Sequence, residues 1–147
     1  MRNETARAGA APSPPHRLAL RVYYEDTDAG GVVYYANYLK FCERARTEWL
    51  RELGTEQLPL LRESHTAFVV RRVEADYLAP AHLDDALDVY TRVTRLGRAG
   101  IDFAQDVMRG EDRLFRATVA IACIDLERQR PVAMPGALHL LLKDTLS

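Results

Sequence analysis

The stretch Tyr24-Glu25-Asp26-Thr27-Asp28-Ala29-Gly30-Gly31-Val32-Val33-Tyr34-Tyr35-Ala36-Asn37-Tyr38 joins two segments of different periodicity. Before it, apolar residues alternate over residues 17–24, which predicts a first β-strand. After it, they recur every three or four residues up to Leu53, and Gly54 follows as a stop signal, which predicts one long amphipathic helix. We therefore expect a strand, an acidic glycine-containing turn and a long helix, in that order.

Four further segments have the pattern of strands, at residues 68–78, 87–96, 101–108 and 114–125, and residues 137–142 are typical of a short terminal helix. The last strand is apolar on both faces in its second half, which favours a central place in the sheet or a partner subunit. The fold class predicted is α+β, with an antiparallel five-stranded sheet wrapped around the one long central helix.

The length of 147 residues fits a single domain, which we place at residues 17–147. Residues 1–16 are small and proline-rich and are expected to form a disordered tail. The net charge of -1 argues against a general nucleic-acid binder. No apolar run has the length of a transmembrane segment and no signal peptide is visible, so a cytoplasmic protein is expected. Cys42 and Cys123 lack metal or redox spacing and are expected to be buried reduced thiols.

Three carboxylates and a glycine pair lie in the turn, directly before a helix start whose free N–H groups attract negative charge. A carboxylate at such a place can attack, or activate water against, a carbonyl whose oxygen the helix start polarises. A simple turn, with Asp28 bonded to nearby backbone, explains the same residues and stays open. A calcium loop beginning at Asp26 is disfavoured, because its twelfth position is Asn37 rather than glutamate. No metal site is predicted.

Residues 21–49, together with 68–72, 77–81 and 83–85, resemble the 4-hydroxybenzoyl-CoA thioesterase family of hotdog folds. Within that family the chain is most similar to the YbgC-type acyl-CoA thioesterases encoded with the Tol-Pal system. The resemblance covers roughly residues 18–135 and is more specific than a short motif. It implies a hotdog fold and hydrolysis of an acyl-CoA to a carboxylic acid and free coenzyme A.

The resemblance also implies residue roles. Asp28 matches the catalytic aspartate, which acts as nucleophile or as general base. The oxyanion site matches backbone N–H groups at Tyr35 and its neighbours. YbgC-type enzymes often have histidine at the position of Tyr35, so a catalytic or a purely structural tyrosine side chain remains open.

Arg71 and Arg72 lie in a matched segment and are our candidates for binding the phosphates of coenzyme A, although solvated surface charges explain them equally well. No cofactor is implied, because coenzyme A belongs to the substrate. The resemblance implies a homodimer or homotetramer with sites at the subunit boundary. Two other functions stay open: hydrolysis of acyl groups carried on acyl carrier protein, and a non-catalytic acyl-CoA-binding or scaffold domain linked to the cell envelope.

Overall fold

The computed structural model describes residues 14–146. Its strands are β1 His16–Arg21, β2 Thr66–Tyr77, β3 Ala86–Leu96, β4 Gly100–Arg109, β5 Asp112–Asp125 and β6 Arg130–Pro131. Its helices are α1 Asn37–Glu52, α2 Gln57–Ser64 and α3 Gly136–Thr145. None of the helices in residues 14–146 is both long enough and apolar enough to cross a membrane.

The strands form one antiparallel sheet in the order β1-β3-β4-β5-β2, and β6 pairs with the end of β5. All five predicted strands are confirmed, and the two-residue β6 adds a sixth that the pattern did not predict. β5 is paired on both sides, with β4 and β2. It therefore has the interior place in the sheet that its apolar second half favoured.

The curled sheet packs around α1, which confirms the predicted hotdog arrangement. The buried side of α1 carries Phe41, Cys42, Ala45 and Trp49 at helical spacing, facing side chains such as Phe103 of β4. Full burial of a large side chain such as Phe41 contributes about 2–3 kcal/mol. Both cysteines are buried and free, as predicted.

The carboxyl end of α1 is set by Gly54, which has φ +95° and donates its amide to the Arg51 carbonyl at 3.0 Å. A glycine in the left-handed region after the last helical turn ends a helix without strain. The predicted stop is therefore confirmed.

Two sequence boundaries were wrong. His16, assigned to the tail, begins β1, pairs with Thr91, and stacks on Trp49 with ring centroids 5.7 Å apart. The same strand stops at Arg21 rather than at Tyr24, because residues 24–26 form a 3₁₀ turn and the Tyr24 side chain is exposed. Residues 1–13 of the predicted tail lie outside the described part of the chain, and Pro14 and Pro15 belong to no strand or helix.

Candidate active site at the amino end of α1

The acidic loop Asp28–Val32 is a hairpin turn closed by two backbone hydrogen bonds. The Asp28 amide donates to the Val32 carbonyl at 2.9 Å, and the Gly31 amide donates to the Asp28 carbonyl at 3.0 Å. Gly31 has φ +79°, the left-handed position that closes a three-residue hairpin loop and favours glycine. The second glycine of the motif is thus required by the backbone, and it fixes the place of Asp28.

The carboxylate of Asp28 is exposed and accepts a hydrogen bond from the Gly30 amide at 2.8 Å. A side chain on residue 30 would place its Cβ 3.3 Å from Asp28 Oδ1, so glycine allows this close approach. The turn role left open by the sequence is therefore present. One carboxylate oxygen is occupied by the loop, and the exposed group still presents the other to a ligand.

Asp26 orders the same loop from inside. Its side chain is buried and accepts the Tyr23 amide at 2.9 Å, while its carbonyl accepts the Asn37 side-chain amide at 2.9 Å. The Tyr34 amide donates to the same carbonyl, also at 2.9 Å. These bonds tie the Asp28 loop to the first residues of α1, so the carboxylate and the helix start are held as one unit.

The start of α1 presents two amides that are free for a ligand. The first helical amide, that of Asn37, donates to the Tyr34 carbonyl at 2.8 Å, whereas no described residue accepts a hydrogen bond from the amides of Tyr35 and Ala36. Amides at a helix start carry partial positive charge and stabilise an anionic oxygen. The predicted oxyanion position at Tyr35 and its neighbour is therefore geometrically open.

Tyrosine side chains surround the helix start. The Tyr35 phenol is exposed; its ring centroid is 4.9 Å from that of Tyr34 and 6.2 Å from that of Tyr77. A hydrogen bond with the Tyr35 side chain raises the pKa of Tyr34. The Tyr77 hydroxyl donates to the Tyr35 carbonyl at 3.0 Å.

A cleft of about 310 Å³ opens beside these amides. Its lining is mostly apolar and aromatic and comes from Val33, Tyr35, Tyr38, Tyr77, Leu78, Ala79 and Pro80. At its base the Tyr38 hydroxyl accepts the buried Ala81 amide at 3.0 Å, and burial raises the pKa of Tyr38. The cleft suits an uncharged acyl group whose carbonyl oxygen points to the helix start.

The structure brings His82, which the sequence analysis did not single out, next to the Asp28 loop. His82 forms an isolated β-bridge with Val32, the residue that closes the Asp28 loop. Its amide donates to Asp85 Oδ2 at 2.8 Å, and the same oxygen accepts Arg109 at 2.8 Å. The separation of 82 from 28 in sequence hides this neighbourhood, and only the pairing of the two loops creates it.

Arg71 and Arg72 are exposed on β2, where a bulge falls between Val70 and Arg72. Arg72 pairs with Glu74 at 2.7 Å, an exposed contact of little energy. Within one chain the two arginines lie about 15–20 Å along the strand from Tyr77 of the cleft. The chain by itself does not bring them to Asp28.

Comparison with known proteins places this arrangement in a family. The model of the thioesterase superfamily matches residues 30–115, beginning two residues after Asp28. The acyl-CoA thioesterase YbgC of Haemophilus influenzae is 54% identical over 116 residues, 79% of this chain and 85% of that protein. The acyl-CoA thioester hydrolase YbgC of Escherichia coli O6:H1 is 45% identical over 123 residues, 83% and 91% of the two chains.

A solved structure agrees with both relatives. The crystal structure of a probable thioesterase from Bartonella henselae superposes with a TM-score of 0.78 at 40% identity, covering 82% of this chain and 99% of that one. The family model, the identity to both relatives and the shared fold all indicate the same family. The chain therefore belongs to the thioesterase superfamily and has its hotdog fold.

Proposed function

We propose that this protein hydrolyses acyl-CoA thioesters to a carboxylic acid and free coenzyme A, with Asp28 as the reacting carboxylate. The observation that supports it is the set of hydrogen bonds that ties the loop of the exposed Asp28 carboxylate to the start of α1, where the amides of Tyr35 and Ala36 are open. The names of the YbgC relatives support the same activity.

In this proposal the thioester carbonyl oxygen accepts hydrogen bonds from the two amides, and negative charge that develops on it is stabilised by the helix start. Asp28 then attacks the carbonyl carbon or removes a proton from the attacking water. The cleft beside Tyr38 and Tyr77 holds the acyl group. Protein groups carry each of these steps, so the proposal includes no metal or redox cofactor.

The test compares wild type with Asp28→Asn and Glu25→Gln in hydrolysis of short, long and aromatic acyl-CoA thioesters, followed by a thiol reagent. Glu25 is an exposed carboxylate of the same loop and serves as the matched control. Asp28→Asn should lower kcat about 10²- to 10⁴-fold with the fold retained, and Glu25→Gln should leave it near wild type. Equal rates for wild type and Asp28→Asn would contradict the proposal.

Acyl groups on acyl carrier protein belong in the same panel. If only these are hydrolysed, the carrier-protein alternative replaces acyl-CoA as substrate while Asp28 keeps its role. If acyl-CoA binds to wild type and Asp28→Asn equally and neither turns over, the binding-domain alternative replaces the enzyme. A cytoplasmic location and a connection with Tol-Pal remain predictions from the sequence.

The outer edge of β2 supports a homodimer. β2 ends the sheet, and over residues 70–78 it is exposed on both faces. Val70, Tyr77 and Leu78 are each about half exposed, at 49%, 50% and 50%. An open strand edge with unpaired backbone groups is prone to pair with another chain. Pairing of two β2 edges would put a second subunit next to Tyr77 and the cleft.

Light scattering of wild type and Val73→Lys should show a dimer and a monomer, respectively. A monomeric wild type would contradict this assembly.

A further inference from the structure

Three short segments run side by side next to the start of α1. Thr27 bridges Val33, and Val32 bridges His82, both in antiparallel fashion. The Val33 amide donates to the Ala81 carbonyl at 2.8 Å, which extends the pairing by one residue. The order across this small sheet is therefore the Asp28 segment, the Val32 segment and the His82 segment.

The side chains of Asp28, Val32 and His82 lie on one face of this small sheet, which we call the outer face. Val33 and Ala81 are buried in the core, at 5% and 0% exposure, so their neighbours Val32 and His82 point the opposite way. Asp28, opposite Val32 in the hairpin, points the same way and is exposed. Two strand spacings separate the backbones of Asp28 and His82, about 10 Å. A thioester placed over Val32 would lie between the two side chains.

Asp85 accepts a hydrogen bond from the backbone of His82 and lies near its ring. Asp85 Oδ2 accepts the His82 amide and Arg109, each at 2.8 Å, and lies 3.8 Å from His82 Nδ1. Burial acts to raise the pKa of Asp85, but hydrogen bonds from the His82 amide and Arg109 outweigh it and lower that pKa. The His82 ring thus lies beside a carboxylate that stays ionised, and imidazole is a common general acid in enzymes.

We propose that His82 is a further catalytic residue, the acid that protonates the departing thiolate; the proposal rests on the thioesterase function proposed above. Asp28 begins the reaction as a carboxylate, which can remove a proton or attack a carbon but carries no proton to give to the sulfur. In the described part of the chain, His82 is the histidine that bridges the loop of Asp28.

The proton balance closes in either role of Asp28. A bond forms from an Asp28 oxygen, or from water that Asp28 deprotonates, to the carbonyl carbon, and the carbon–sulfur bond breaks with its electron pair on sulfur. The Nε2 proton of His82 passes to that sulfur and gives the thiol. His82 then regains a proton from the water that opens the Asp28 anhydride or from the protonated Asp28 carboxyl. The sum is thioester plus water to acid plus thiol.

The test varies the leaving group at constant acyl group. Wild type, His82→Gln and Asp28→Asn are compared with the acyl-CoA, the acyl-pantetheine thioester and the S-phenyl thioester. An alkyl thiolate is a poor leaving group and depends on a proton from the acid. A phenyl thiolate is the anion of a stronger acid and leaves without that proton. His82→Gln should therefore lower kcat/KM about tenfold or more for acyl-CoA and acyl-pantetheine and less than about threefold for the S-phenyl ester.

His65→Gln is the matched control, because His65 is an exposed histidine whose partner is Glu127, away from the Asp28 loop. Its three rates should equal those of wild type. An equal loss with all three esters in His82→Gln would mean a structural effect and overturn the proposal. A loss confined to acyl-CoA would mean contact with the nucleotide part and would also overturn it. Asp28→Asn separates the two claims: if it leaves all three rates unchanged, the proposed function itself fails.

Discussion

Two polar regions along α1 are built in opposite ways. Around Arg46, in the third turn, the polar side chains are hydrogen-bonded to one another. The Gln105 side chain accepts a hydrogen bond from the Arg46 guanidinium at 3.0 Å and donates to the Cys42 carbonyl at 3.0 Å and to the Thr91 hydroxyl at 2.9 Å. These side chains form the buried polar cluster. Around Asp28, before the first turn, the carboxylate is exposed and the neighbouring helix amides are open. The same helix thus has one polar region whose hydrogen bonds are made within the protein and one whose groups are open to a ligand.

The difference separates stability from chemistry. A buried polar group without a partner costs free energy, so a cluster that satisfies each member stabilises one arrangement of the core. An exposed group costs little when unpaired and stays available for a substrate. Substitutions near Arg46 should therefore lower mainly the stability, and substitutions near Asp28 should lower mainly the activity.

Gln105→Leu should have the largest effect on stability. The leucine fills a similar volume but removes the acceptor of the Arg46 guanidinium, whose pKa burial already lowers. A buried charged donor that loses its hydrogen-bond acceptor is strongly destabilising, so the free energy of unfolding should fall by about 3 kcal/mol in urea denaturation. The double variant Arg46→Met with Gln105→Leu should recover much of this loss, because no buried charge is then left unpaired.

Unchanged stability in Gln105→Leu would show that water or another group compensates Arg46. It would also remove the contrast between the two ends of α1. Recovery in the double variant separates the charge from simple changes in packing.

Cys42→Ala should change the alkaline stability. Burial raises the pKa of the Cys42 thiol from 9.0 to about 12. A folded-state pKa above the unfolded one gives stability that is complete below about pH 9 and is lost as the pH rises toward 12. Relative to Cys42→Ala, wild type should lose about 2 kcal/mol between about pH 8 and pH 10.5.

Denaturant titrations of both proteins at several pH values measure this difference, and the tyrosines common to both cancel. A difference that stays constant with pH would show that the Cys42 thiol ionises as freely in the fold as in the unfolded chain.

Periodicity predicted α1 and the five main strands because a buried stripe or alternation lies within one segment. The acidic loop was predicted as a turn for the same reason, since Asp28 and Gly31 are three residues apart. The buried polar cluster was missed, because Arg46 and Gln105 are 59 positions apart and each looks like a surface residue in its own segment. His82 was missed likewise. A contact between distant segments leaves no periodic signal.

Tyr38→Phe lies between the two regions and should have a smaller effect. The ring stacks on Phe115 with centroids 5.0 Å apart, and this contact survives the change. The buried Ala81 amide, however, loses the hydroxyl that accepts it at 3.0 Å. The free energy of unfolding should fall by about 1.5 kcal/mol. A wild-type melting temperature for this variant would show that the amide finds another acceptor.

Tyr35→Phe should have the smallest effect, although the residue stands at the predicted oxyanion position. The oxyanion donor would be its backbone amide, which every side chain leaves in place, and the phenol is 62% exposed with its ring against Tyr34 and Tyr77. We expect kcat within about threefold of wild type, equivalent to less than about 0.7 kcal/mol in the barrier. A fall of a hundredfold with the fold intact would instead make the hydroxyl catalytic, because removal of a general acid or base has that magnitude. The open end of α1 would then act through a side chain as well as through its backbone.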